Sequence, residues 1–202
     1  MRRKTDHLAN TLYDHGCVKF GTFTLKSGLT SPIYIDLRLL VSHPSVLRQV
    51  ASSLIEVAQD LTFDRIGAIP YAALPIGVAM ALRMDRPMIY PRRETKEHGT
   101  RRPIEGAFKA GETVLLIDDL ITRGGSKLEA IGSLEAAGLL VNDVLVLIDR
   151  EQGGGRDLRE QGYHLHSLLT LGDLLGTLRD SGRVTQGQYK DVLGYLEQTR
   201  VK

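Results

Sequence analysis

Residues 114–126 read VLLIDDLITRGGS. Four apolar residues lead to Asp118 and Asp119, a short loop carries Thr122, Gly124 and Gly125, and Ser126 with Glu129 predicts a capping box for a helix ending at Gly138. A buried strand that ends in acids and turns at once into a helix fits an open α/β sheet, where ligands bind outside the carboxyl ends of the strands. A loop rich in Gly, Thr and Ser entering a helix presents backbone N–H groups and the positive end of the helix dipole, which together cradle phosphate. Two adjacent carboxylates repel each other unless a neutral or cationic group lies between them. Ribose hydroxyls, or a magnesium ion held through water, meet that need. The same string also fits a plain buried strand followed by an ordinary turn. Two competing phosphate motifs are absent: there is no G-x-x-x-x-G-K-[ST], and Gly153 to Gly155 lack the third glycine of G-x-G-x-x-G.

Working outward, apolar strands are expected at 65–69, 87–90, 113–117, 143–148 and 163–169, with a helix at 75–83. Continuous apolar strands alternating with helices predict a mainly parallel sheet covered on both faces. Toward the N-terminus, Leu8, Leu12 and Tyr13 have helical spacing and stop at Gly16. Strands at 18–25 and 33–37 flank a Ser27-Gly28 turn. From Ser42, a cap candidate with Pro44 in the first turn, Val46, Val50, Leu54 and Ala58 repeat every four residues. Thr185 with Gln188 opens a last helix that carries Tyr189, Val192, Leu193 and Leu196 on one face.

With 202 residues, the chain suits one domain, 1–202. The net charge of +2 argues against a surface that is basic throughout, and so against a general nucleic-acid binder. The single cysteine, Cys17, excludes an internal disulfide and reads as a packed small hydrophobe. No stretch approaches the roughly 20 apolar residues that span a bilayer. The basic opening MRRKTDHLAN runs into polar residues where a signal peptide would be apolar, so a cytoplasmic protein is expected. Positive charge gathers in one place: residues 92–102 hold five cationic and two acidic side chains, a surplus of three in a chain of net +2. Seen alone, this segment fits a solvated basic loop, and it also suits a lid over an anionic leaving group. His164 and His166 share one strand face without an evident third ligand.

Residues 114–126 resemble the phosphoribosyl diphosphate (PRPP) motif of type I phosphoribosyltransferases, in which two acids hold the ribose hydroxyls and the loop holds the 5′-phosphate. That resemblance implies catalytic roles for Asp118 and Asp119 and substrate contacts from Leu120, Ile121, Thr122, Arg123, Gly124, Gly125 and Ser126. Arg123 departs from the small residue common at its position. RRETKEHG, residues 92–99, is similar to the flexible catalytic loop of orotate phosphoribosyltransferases. It carries over Arg92, Lys96 as a catalytic residue and His98, with Arg93 in place of a lysine. In that family the loop reaches into the neighbouring subunit, which implies a homodimer. FTLKSGLTSPIYIDLR, residues 23–38, resembles the same family's N-terminal signature and implies that Lys26, Tyr34 and Ile35 line the orotate and PRPP pocket. IDREQGG, residues 148–154, is the fourth match, with Arg150 expected to pair with the orotate carboxylate. PYAALP, residues 70–75, resembles the form found in the phosphoribosyltransferase half of eukaryotic UMP synthases. It lacks the Tyr-Lys pair of many bacterial members and implies that backbone groups at Ala72 and Ala73 hold the diphosphate. Because the chain ends at Lys202, the decarboxylase half of such fusions is expected to be absent.

The resemblance implies a type I phosphoribosyltransferase fold: a central, mainly parallel sheet flanked by helices, with a small N-terminal hood and a flexible catalytic loop. The implied activity is Mg²⁺-dependent transfer of phosphoribose from PRPP to orotate in pyrimidine biosynthesis. The metal is expected on the diphosphate and water, with no direct protein ligand. Small-molecule partners are expected, with no nucleic acid and no membrane. A regulator of the same fold would add a nucleic-acid-binding element, and a purine enzyme would keep 114–126 without the strings at 23–38 and 148–154. An inert nucleotide-binding module has no use for the lysine-bearing loop.

Overall fold

Alternation along the central strands decides the architecture. In the strand Thr113–Ile121, Leu115 and Ile117 enter one apolar core while Val114 and Leu116 enter another on the opposite face. The strand Leu140–Asp149 repeats the pattern, with Leu145 and Leu147 on the first side and Val144 and Val146 on the second. A strand buried on both faces has no polar alternation, which explains the continuous apolar runs.

The computed structural model describes residues 2–24, 28, 30–92 and 103–199. In chain order the elements are α1 (Arg2–Asp14), β1 (Val18–Thr24), β2 (Thr30–Ile35), a 3-10 turn (Leu37–Ser42), α2 (Pro44–Ala58), β3 (Arg65–Ala68), α3 (Ala73–Met84), β4 (Met88–Pro91), β5 (Ile104–Glu105), β6 (Thr113–Ile121), α4 (Gly125–Glu135), β7 (Leu140–Asp149), α5 (Gly154–Glu160), β8 (His164–Thr170), α6 (Leu171–Asp180) and α7 (Gln186–Thr199). The main sheet has the order β5-β4-β3-β6-β7-β8, parallel except for the β4–β5 pair. β1 and β2 form a separate antiparallel pair, the small hood expected from the sequence. β6 is central and longer than β3, so its acidic end projects past the paired part of β3.

Helices α1, α2, α6 and α7 contribute Leu8, Leu12, Val50, Leu54, Leu174, Leu178, Val192 and Leu196 to the first core. Helices α4 and α5 close the other face with Ile131, Leu134 and Leu158. Each such side chain contributes about 1.5–3 kcal/mol by leaving water. Cys17 is fully buried, and burial pushes its thiol up to about 11, so it packs as a small apolar side chain. His166 shares a 2.7 Å hydrogen bond with Asp143 of β7. Among the described residues no helix is long and apolar enough to cross a membrane.

The structure corrects two expected caps. α2 starts at Pro44 with His43 at its N-cap, one residue past Ser42, which closes the preceding 3-10 turn. α4 starts at Gly125, with Gly124 at the N-cap in helical backbone geometry, so Ser126 lies inside the first turn and caps nothing. The expected capping box at Thr185 is present: Gln188 N–H donates to Thr185 Oγ1 at 3.2 Å, and Thr185 N–H donates to Gln188 Oε1 at 3.0 Å.

Candidate active site

The carboxyl end of β6 carries the acids into an open cleft of about 470 Å³. Its walls include Arg38, the Pro70–Ala72 turn before α3, Asp118, Asp119, Thr122, Arg123, Ser126 and Lys127. The Pro70–Tyr71 peptide bond is cis.

The two acids stand in different surroundings. Asp118 is buried, and both of its oxygens are engaged: Oδ1 accepts the Asp119 N–H at 2.8 Å, and Oδ2 takes the Lys127 ammonium at 2.6 Å. Lys127 is itself buried and also donates to the Leu120 carbonyl at 2.6 Å and to Ser126 Oγ at 3.4 Å. Asp119 is half-buried, and burial together with the adjacent Asp118 charge pushes its carboxyl up to about 7. In the folded chain this group therefore holds a proton that the unfolded chain loses near the ordinary aspartate value of 3.8. Its contribution to stability is present below that value and is lost as the pH rises through about 7. Asp119→Asn stays neutral throughout, so the variant is expected to melt above the wild type at pH 8, with the gap closing toward pH 5. A gap in melting temperature that is equal at both values would contradict this.

The loop after β6 is held from a distance. Gly124 N–H donates to Asp157 Oδ2 of α5 at 3.2 Å, and the Thr122 carbonyl accepts from Gly154 N–H at 3.1 Å. The Gly124 amide is thus not free for a phosphate, whereas the first-turn N–H groups at Gly125 and Ser126 have no partner within α4, as at any helix start. A Cβ at Gly154 would lie 2.5 Å from Ile121 Cγ1, so only glycine allows this close approach. Ile121 is fully buried and Ala73 faces the core, so among the expected contact residues these two side chains are structural. Leu120 serves through its carbonyl, and Ala72 borders the cleft. Ile35 is buried in the hood. Tyr34 stacks on Phe23 with ring centroids 5.4 Å apart, and its hydroxyl accepts from Arg38 at 2.9 Å.

Arg150 follows β7 directly, and its N–H donates to the Ile121 carbonyl at 2.9 Å, which ties it to the end of β6. Its guanidinium is buried and interacts with Tyr195 of α7, while Nε and Nη2 have no hydrogen-bond partner. Burial holds the pKa of this group below its ordinary value. A buried donor without a partner costs about 1–3 kcal/mol, and an incoming carboxylate would relieve it. Arg92 is ion-paired with Glu105 of β5, a partner the sequence did not disclose. Lys26, Arg93, Lys96 and His98 lie outside the described residues.

Two site residues escaped the sequence reading. Arg38 gave no signal beyond its place in the 23–38 string. Lys127 did: with Ala130, Ile131 and Leu134 it stands at i, i+3, i+4 and i+7 on the buried face of α4, where a lysine needs a partner.

No protein-family model matches the chain. It is 45% identical over 178 residues to the bifunctional enzyme PyrF/PyrE of Nostoc sp., covering 88% of this chain and 37% of that protein. It is 38% identical over 196 residues to an orotate phosphoribosyltransferase of Caenorhabditis elegans, covering 96% of this chain and 86% of that protein. Among solved structures, a UMP synthase of Leishmania donovani matches with a TM-score of 0.90 at 45% identity, over 96% of this chain and 42% of that one. The chain spans about two fifths of the length of the Nostoc and Leishmania proteins and most of the length of the Caenorhabditis one.

Proposed function

The chain belongs to the orotate phosphoribosyltransferases, and from that membership we propose that it transfers the phosphoribosyl group of PRPP to N1 of orotate, giving orotidine 5′-monophosphate and diphosphate in pyrimidine synthesis. The observation that carries this reading is the acid pair at the end of β6, one member buried and ion-paired, beside the open N-terminus of α4. Departure of diphosphate leaves positive charge on the anomeric carbon, so the site has to hold a cation-like sugar and neutralise an anionic leaving group. Asp118 and Asp119 face the ribose hydroxyls, and the loop 122–126 receives the 5′-phosphate through the first-turn N–H groups of Gly125 and Ser126 rather than that of Gly124, which Asp157 holds. Thr122 and Arg150 position the base, with Lys26, Tyr34 and Ile35 along its pocket. Arg150 favours orotate over uracil because its unpartnered donors call for a carboxylate. Orotate is already acidic at its ring nitrogens, so no general base is assigned.

The donor set suits a magnesium ion that arrives on the diphosphate and keeps its waters, since Asp118 is engaged by Lys127 and Asp119 alone is left to face it. When bound, that ion offsets charge on the departing diphosphate. Backbone groups at Ala72 and Ala73, together with Arg92, Arg93, Lys96 and His98, are assigned to the same anion. In this reading the loop 92–99 comes from the partner of a homodimer. Val41, Tyr71, Val78 and Leu82, exposed apolar side chains on the 3-10 turn, the cleft rim and α3, favour a second copy of the chain as the covering surface. We take residues 1–202 as one phosphoribosyltransferase domain acting in the cytoplasm.

The test follows orotate absorbance on adding PRPP with and without magnesium. Loss of orotate that needs both additions is expected, and uracil consumed as fast as orotate would sink the assignment. In the same assay Lys96→Ala is expected to lower kcat far more than it raises KM for PRPP, because the lysine meets charge that develops as the diphosphate leaves.

A further inference from the structure

Lys127 sits where a lysine is costly, on the buried face of α4, and an ammonium offers three donors. All three have acceptors: Asp118 Oδ2 at 2.6 Å, the Leu120 carbonyl at 2.6 Å and Ser126 Oγ at 3.4 Å. The group therefore joins the acid, the strand end and the first turn of the phosphate-facing helix, and it has no donor left for a substrate. We infer that Lys127 is a positioning residue that acts through Asp118, holding that carboxylate fixed toward the ribose. The assignment follows from the contacts. Asp118 is the acid that the ammonium holds, through Oδ2, while its Oδ1 accepts the Asp119 N–H.

This inference rests on the phosphoribosyltransferase reading, and the experiment separates the two. Lys127→Met keeps the aliphatic stem and removes the ammonium. PRPP binding with magnesium is measured by calorimetry, alongside orotate KM, kcat and melting temperature, for wild type, Lys127→Met, Asp118→Asn and the double variant. Lys127→Met is expected to weaken PRPP binding on the order of 10- to 100-fold, the loss of one charge-assisted contact, with orotate KM changed less than about threefold. The double variant is expected to bind PRPP within about twofold of Asp118→Asn, because a residue that acts only through Asp118 has nothing to add once that charge is gone. If Lys127→Met does not fold, the comparison of the double variant with Asp118→Asn decides alone, since both buried charges are then absent. PRPP affinity unchanged in Lys127→Met, or a further tenfold loss in the double variant, overturns the inference. A wild type that neither binds PRPP nor consumes orotate overturns the underlying reading instead.

Discussion

Asp118→Asn is expected to lower kcat/KM for PRPP by roughly 10²- to 10³-fold and to destabilise the same protein. The two effects share one cause. The Asp118 carboxylate is the anion that permits Lys127 to be buried, and the amide that replaces it keeps a hydrogen-bond acceptor but no charge. Removing one partner of a buried ion pair costs about 3–5 kcal/mol, and the retained contact should keep the loss near the lower end. In a chain of this size that corresponds to roughly 5–10 °C in melting temperature.

Substitution of the neighbouring acid should act in the opposite sense on stability. Asp119 carries no buried cation, and its own ionisation is disfavoured by burial and by Asp118. Both Asp→Asn changes should therefore impair turnover, while their melting temperatures at pH 8 move apart, Asp118→Asn below the wild type and Asp119→Asn above it. Calorimetric melts beside steady-state assays check this directly. Equal destabilisation by the two substitutions would show that the acids are equivalent and that the contacts of Lys127 do not matter.

The sequence foretold the site's chemistry better than its wiring. The run 114–117 is apolar throughout because both faces of β6 are covered, and the acids beyond it mark where the covering ends. Local spacing carries that information. It does not carry the bond from the Gly124 backbone N–H to Asp157 or the Arg92–Glu105 pair, because each joins groups that lie far apart in the sequence and meet only in the fold. The two capping boxes show the same limit within one motif. Thr185 and Gln188 bond as their spacing predicts, but at Ser126 the tethered loop already has helical geometry at Gly124, so the helix begins before its supposed cap. α5 was missed because GGGRDLRE is short and lacks an apolar period, and β5 is only two residues long. Lys127 is the exception: its place among Ala130, Ile131 and Leu134 was visible as a charge on an apolar face, a pattern that should prompt a search for its counter-ion.

Arg150→Ala is expected to raise KM for orotate on the order of 100-fold while leaving PRPP affinity within a few fold. The reason lies in how the segment after β7 is built. Asp149 Oδ1 accepts the Glu151 N–H at 2.8 Å, Glu151 Oε2 accepts the Gly172 N–H at 2.8 Å, and Gln152 donates to Thr199 Oγ1 at 2.7 Å. The segment is thereby pinned to α6 and α7, and Arg150 is fixed at its centre with Tyr195 alongside. A guanidinium held this way keeps two buried donors unpartnered until a planar acceptor arrives. Truncation removes that recognition together with the penalty carried in the empty site, so the melting temperature without substrate should move much less than the roughly 5–10 °C expected for Asp118→Asn. The two variants are thus predicted to separate along different axes, one losing PRPP and stability, the other losing orotate alone. A competition assay supplying orotate and uracil together tests the specificity half: the wild type should consume orotate first, and Arg150→Ala should lose most of that preference. An unchanged preference would assign the carboxylate to a different residue.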